Sequence, residues 1–451
     1  MTKTSRRAAL LMLIIAALFL SGTTLLFAGG KGETKSGPVT LRTVVFKGWA
    51  REPALMQQAP AYEKLTGVKV EYEEVPFGQF HEKMILDFAS KTGNYDFVGA
   101  LTDWATEFVR GQYLVPLDGY IAKDPPEDWP NAFPAALLKF QTVNGKLYGL
   151  PCHDGPVMLY YRTDLFGDPR EKADFKAKYG YDLAPPTTWA QFLDIARFFT
   201  RPNQNLWGTV LASKQGGQQL PYDFYLMLWS YGGDMFDANW HPIFNSQAGI
   251  DGLQYYVDLR NKWGVTPQAS TTYDETENGP FYLNGNAAML LQWSHIGAWA
   301  EMPDRSKIGG KNGYTLVPVA REGLPHTSLD VYWYFGISTA SKHPDEAYKL
   351  VKWLTNKEND KMDAKMGTIA TRVSTFRDPE ILQQFPFYAN IEKSLASGVK
   401  TTPQVPEYAQ IDDIIGVAAS KVIAGQISAK AALDEAATKI DDVMKKAGYY
   451  Q

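Results

Sequence analysis

The chain has 451 residues, with 45 Lys and Arg against 49 Asp and Glu, for a formal charge of -4. No run of basic residues breaks that balance, which excludes a nucleic-acid partner, and a single Cys excludes an intramolecular disulfide framework. Length allows two or three domains, and 12 Trp with 25 Tyr supply many rings that must be buried or touch something.

The first residues read as a targeting segment. Lys3, Arg6 and Arg7 precede AALLMLIIAALFL, and SGTTLLFAGG follows. A charged start, an apolar run and a small-residue end predict a secretory signal peptide over residues 1–28, cleaved after Ala28. The competing reading is a retained membrane anchor, although Ser21 to Thr24 interrupt the apolar run. No Cys follows that run, so no lipid-attachment site is expected and a periplasmic product is. Residues 29–38, GGKGETKSGP, read as a flexible leader.

The mature chain then alternates. VTLRTVVF predicts a strand, and VKVEYEEV another, with Val68, Val70 and Tyr72 on one face. Between them lies a helical stretch that Gly67 should close. FHEKMILDFAS places Phe80, Met84 and Phe88 four apart on a helix face. The short strand YDFV and the helical WATEFVRG complete a β-α-β-α-β order, which predicts an α/β fold with mostly parallel sheets flanked by helices. NGKLYGLPCHDGPVMLYY, from Asn144 to Tyr161, holds two apolar flanks with no hairpin turn between them. PPTTWAQFLDIARFFT carries a capping box at Thr188 and Gln191, then Trp189, Phe192, Leu193 and Ala196 on one face. A helix after Asn245 or Ser246, strands at YTLVPV and YWYFGIST, a helix begun by Pro344 and a last helix between Ser428 and Gly448 follow.

Enzyme motifs fail one by one. His81 begins a zincin-like HEKMI, but Ile85 stands where a second His is needed. LWSYGG lacks the leading Gly of a nucleophile elbow, and GGKNG lacks the Ser or Thr of a phosphate loop. No metal site and no cofactor are expected. A carboxylate pair for glycoside hydrolysis leaves no local motif, so a secreted glycoside-processing enzyme stays open as the alternative.

YEKLTGVKVEYEEV, YDFVGALTDWATEFVRGQYLVPLD, GKLYGLPCHDGPVMLYYRTDLF, NGNAAMLLQW, GISTASKHPDEAYKLVKWLT and ATRVS occur in an order that resembles family 1 extracellular solute-binding proteins. These are the sugar-binding components of ABC importers, of the maltose-binding type. The resemblance implies a two-lobed periplasmic binding protein fold with the ligand cleft between the lobes. Residues 39–153 plus 317–360 would form the N-terminal lobe, and 154–316 plus 361–451 the C-terminal lobe. CHDGP would then be a first crossing, with a second near YTLVPV and a third after the helix ending near Asn359. The partners implied are a carbohydrate or polyol and the membrane permease subunits, with the protein a monomer.

A sugar presents hydroxyls at its rim and C–H faces above and below, so rings, carboxylates and Arg are the matching side chains. By resemblance and position the candidates are Trp49, Asp103, Trp104, Asp154, Tyr222, Asp223, Trp293, Trp333 and Arg372. Five of them have a plainer reading: a helix-capping Asp103, packed Trp104 and Trp293, a turn Asp154, an ion-paired Arg372. Arg51 and Glu52 beside Trp49 read equally well as solvated, and Cys152 as a small buried apolar residue.

Overall fold

The structure is a computed structural model that describes residues 39–153 and 155–450. The predicted signal peptide and leader, and the candidate Asp154, lie outside the described residues. Among the described residues no helix is long and apolar enough to cross a membrane.

Strand β1 (Thr40–Phe46) pairs in parallel with β2 (Lys69–Val75), and the helix Glu52–Thr66 links them. That helix ends at Gly67, whose φ of 77° lets its N–H turn back to the Glu63 carbonyl. The helix Phe77–Ser90 buries Phe80, Met84 and Phe88 completely or nearly so, at the expected spacing of four. Strand β3 (Phe97–Leu101) follows, and the Asp96 N–H joins it to β1 through the Arg42 carbonyl at 2.8 Å.

The segment from Asn144 to Tyr161 contributes to three separate pairings. Thr142–Val143 (β4) and Lys146–Leu147 (β5) form a short hairpin. Leu150–His153 (β6) joins the first sheet, and Met158–Arg162 (β7) enters a different one. In that second sheet β7 lies between β8 (Met289–Gln292) and β9 (Asn312–Thr315). Ser328–Leu329 (β10) later pairs with Val399–Lys400 (β12), and Trp333–Ile337 (β11) returns to the first sheet between β3 and β6. The chain therefore passes back between the sheets through 328–332, later than the expected YTLVPV, whose first residues are spent on β9.

The expectation of mostly parallel sheets does not hold for these ladders. β11 is antiparallel to both β3 and β6, and β7 is antiparallel to both β8 and β9. The physical reason is the route of entry. Parallel neighbours need a crossover that returns the chain to the far end of the sheet. Here β11 enters directly from the other half of the molecule, so it runs away from the end at which β3 and β6 finish. β7 leaves that junction in the same way, while β8 runs back toward it.

Helices cover both sheets as their sequences predict. Thr188 and Gln191 form the capping box of Trp189–Phe199, whose buried residues are Trp189, Phe192, Ile195, Ala196 and Phe199, while Leu193 is half-buried. Helix Gln219–Ser230 is buried on every side, between Gln247–Asn261 and Tyr408–Ile423. Ser428 caps Ala429–Lys446 by accepting from the Ala431 N–H at 3.2 Å.

Candidate functional site

The ends of β1, β3 and β6 and the start of β11 come together, and the opposite wall is made by helix starts and the end of β8. Between them lies a cavity of about 240 Å³. Its position at strand ends follows the general rule for open α/β sheets. Leu101, His153 and Trp333 line it as cross-strand partners, since Trp333 is in register with Leu101 on one side and His153 on the other. Phe46, Trp49 and Phe77 close this wall. Across the cavity stand Gln218 and Tyr222, Glu275 and Thr276, and Trp293, His295 and Trp299. Gly155, on the first passage between the sheets, lies at the junction, where an added Cβ would meet Ser294 at ordinary contact distance.

Rings dominate this cavity and hold each other in place. Trp49 lies 5.1 Å from Trp333 and 5.7 Å from Phe46, and Trp293 meets Tyr222 edge-on at 5.4 Å and 89°. The Trp49 Nε1–H donates to His153 Nδ1 at 3.3 Å, and Trp293 Nε1–H donates to Gln219 Oε1 at 2.8 Å. Each indole is therefore fixed at its polar edge, and both residues line the cavity. Gly99 in β3 makes room for the first of them, because a Cβ there would stand 2.6 Å from the Trp49 ring. Glycine weakens a strand, and a close approach of this kind is what it provides in exchange.

Titratable groups at the walls are held neutral or near it. Burial pushes the Glu275 carboxyl up to about 7, with Asp274 and Glu277 adding to the effect. Burial also pulls His153 and His295 down to about 3, so both imidazoles are neutral above that range. Among the described residues no Lys or Arg lines the cavity.

Of the candidate residues, Trp49, Tyr222, Trp293 and Trp333 come together in this cavity. Four others do not line it. Asp103 follows β3 as expected, but it accepts from the Tyr222 hydroxyl at 2.6 Å and from the Thr402 hydroxyl, which spend its oxygens on protein donors. Trp104 turns away to pack on His81 at 4.7 Å and edge-on against Trp333 at 5.9 Å. Asp223 is held one hydrogen bond back from the cavity, where Gln219, which also accepts from Trp293, and Tyr256 donate to it at 2.7 and 2.8 Å. Arg372 is buried over the Phe133 ring and donates to the Thr355 and Glu127 carbonyls, so its guanidinium serves packing.

Arg51 corrects a further expectation. It is fully buried, paired with Asp363, and donates to the Cys152 carbonyl at 2.7 Å and the Leu354 carbonyl at 2.8 Å. It thereby ties the loop that carries Trp49 to the strand that carries His153. Sequence reading passed over Phe46, Phe77, Gln218, Glu275, His295 and Trp299. The helix start at DETENGP, with Glu277 closing a capping box on Asp274, was the available signal for Glu275.

The family model described as bacterial extracellular solute-binding protein matches residues 48–361. The mannitol-binding protein of Pseudomonas aeruginosa is 25% identical over 387 residues, covering 82% of this chain and 84% of that protein. A probable amino-acid ABC transporter periplasmic-binding protein of Sinorhizobium fredii is 25% identical over 452 residues, covering 96% and 97%. An ABC transporter solute-binding protein from Agrobacterium radiobacter, solved in complex with ribitol, is similar with a TM-score of 0.80 and 26% identity over 90% of this chain and 98% of that one. The two-lobed α/β fold class expected from sequence is the one these structures share.

Proposed function

Because the chain belongs to the bacterial extracellular solute-binding protein family, we propose that it captures a carbohydrate or polyol and delivers it to an ABC importer. The observation that carries this reading is the make-up of the cavity. Rings from Trp49, Trp293 and Trp333 suit C–H surfaces, and the polar groups among them are a carboxyl, an amide, a phenol and neutral imidazoles. An amino acid would bring a carboxylate that needs a cation, and among the described residues none faces the cavity. That argues for the polyhydroxy ligand of the mannitol-binding and ribitol-bound relatives over the amino acid named for another. A volume of about 240 Å³ suits a monosaccharide or linear polyol; pockets for drug-sized ligands span ~300–1,000 Å³.

Under this reading the protein is exported by residues 1–28, works as a periplasmic monomer and performs no catalysis. The two lobes follow the expected division of 39–153 with 317–360 against 154–316 with 361–451, except that the second boundary moves to the passage at 328–332, and Gly155 lies on the segment that absorbs their rotation. Asp154, next to it in sequence, is proposed as a ligand contact. A thermal-shift screen tests the assignment. Ribitol, mannitol, tagatose and maltose are compared with a set of amino acids, and ligand bound to the native state adds ~2.7 kcal/mol at one hundred times Kd. A shift with a sugar or polyol, and none with amino acids, is expected. A shift with amino acids alone, or cleavage of an offered oligosaccharide, would sink it.

A further inference from the structure

The cavity between the sheets offers charge of one sign. Glu275 is the single acid among its described lining residues, it is half-buried, and no Lys or Arg lines the cavity with it. Its neighbours supply no counter-charge. On the same helix start, Asp274 accepts from the Gln218 and Gln219 N–H groups at 3.3 and 3.1 Å, and Glu277 accepts from the Asp274 N–H at 2.8 Å. Burial holds the Glu275 carboxyl up, the Asp274 and Glu277 carboxyls add to that, and the Trp293 side chain, by hydrogen bonding, acts against them.

Across the cavity His153 and His295 are neutral, and the Tyr222 hydroxyl is spent on Asp103. Two guanidiniums are felt at those imidazoles, Arg51 at His153 and Arg305 at His295. Arg51 is fully buried against Asp363, and Arg305 is exposed and lies 4.5 Å over the Trp299 ring. Neither lines the cavity. Among the described residues Glu275 therefore has no cationic partner.

A sugar hydroxyl satisfies this carboxyl as a donor but leaves the charge of the three acids in place. A ligand ammonium gives it a stronger, charge-assisted bond and also offsets that charge. The rings favour the same choice. Trp49, Trp293, Trp299 and Trp333 line the cavity, and indole attracts cations better than the other side-chain rings. Exchanging one hydroxyl for an ammonium leaves a ligand's size almost unchanged, so the volume of about 240 Å³ admits both. We propose that the ligand is a polyhydroxy compound bearing one protonated amine, an amino sugar or amino polyol, whose ammonium pairs with Glu275. This rests on the reading of the cavity as a site for sugars and polyols.

Isothermal titration near pH 7 on the mature chain compares glucosamine with glucose, galactosamine with galactose, and glucamine with sorbitol, with N-acetylglucosamine and putrescine as controls. The same series is run on Glu275→Gln after thermal denaturation shows it folded, and the wild-type comparison stands without it. At least one amine should bind tenfold or more tightly than its neutral parent. N-acetylation should remove that gain, and Glu275→Gln should close the gap to within about twofold. Neutral parents that match their amines would overturn this proposal and leave the sugar or polyol reading standing. A gap that persists in folded Glu275→Gln would also overturn it. So would silence from all three amines, with the ribitol and mannitol screen deciding the reading separately. Putrescine bound where none of the six paired compounds binds would overturn both.

Discussion

Tyr222 donates its phenolic hydrogen to the Asp103 carboxylate at 2.6 Å, joining a helix beside the second sheet to the turn that ends β3 in the first. Burial pushes the Asp103 carboxyl up to about 6, while its bonds from Thr402 and Tyr222 act in the opposite sense. A carboxyl raised in the folded state loses stability as pH climbs from its unfolded value to its folded one. Tyr222→Phe removes one donor, raises the Asp103 value further and extends that loss to higher pH. Urea denaturation should show a deficit of ~1–3 kcal/mol that is larger near pH 8 than near pH 5. Equal deficits at both would remove Asp103 from this role.

Two tryptophans separate the cavity from its backing. Trp293→Ala should weaken binding of the cognate sugar or polyol tenfold or more, which is ~1.4 kcal/mol. Trp104→Phe, at a ring that packs on His81 behind Trp333, should change the melting temperature and leave Kd within about twofold. Titration calorimetry on both variants checks the pair, and the reverse pattern would place the ligand against Trp104.

Gly99 offers a test that touches no ligand atom. Gly99→Ala brings a Cβ to within 2.6 Å of the Trp49 ring, so the indole must move. Affinity should fall severalfold while denaturation shows a folded protein, and intrinsic fluorescence should report a shifted Trp environment. Undiminished affinity would mean that Trp49 is not held where it is used.

How much of this was legible in the sequence follows from the range of each interaction. Gly67, the Thr188–Gln191 capping box and the Phe80–Met84–Phe88 face are local, and all three formed as read. The direction of strands was not, because β-α-β order says nothing about a strand that enters from the other half of the molecule, as β11 does. Trp49, Tyr222, Trp293 and Trp333 were named from resemblance and all line one cavity. Asp103 was named for its place after a strand, and Asp223 and Arg372 from the same resemblance, but their hydrogen-bonding capacity is met by Tyr222, Tyr256 and the Thr355 carbonyl, partners distant in sequence. No local pattern distinguishes a polar group left for ligand from one already paired.

The imidazoles set an acid limit. His153 is pulled down to about 3 by burial, with His295 and Arg51 adding to it. A base lowered in the folded state contributes stability above its unfolded value, near 6.5, and that stability is lost as pH falls toward about 3. His153→Gln removes this titration while keeping a group able to accept from Trp49. The variant should lose less stability than wild type between about pH 6.5 and pH 4, measured by thermal denaturation against pH. Parallel curves would show that His153 titrates normally.

The central claim is capture of a ligand between two lobes that move on segments such as the one carrying Gly155. A ligand that touches both walls, through Trp49 and Trp333 on one side and Trp293 on the other, binds the closed form better. Only such differential affinity shifts the balance, and moving it from 1:99 to 99:1 takes ~5.5 kcal/mol. Small-angle scattering with and without a saturating sugar or polyol identified by thermal shift measures this directly. The account predicts a smaller radius of gyration on binding, and scattering curves that coincide at saturation would contradict it.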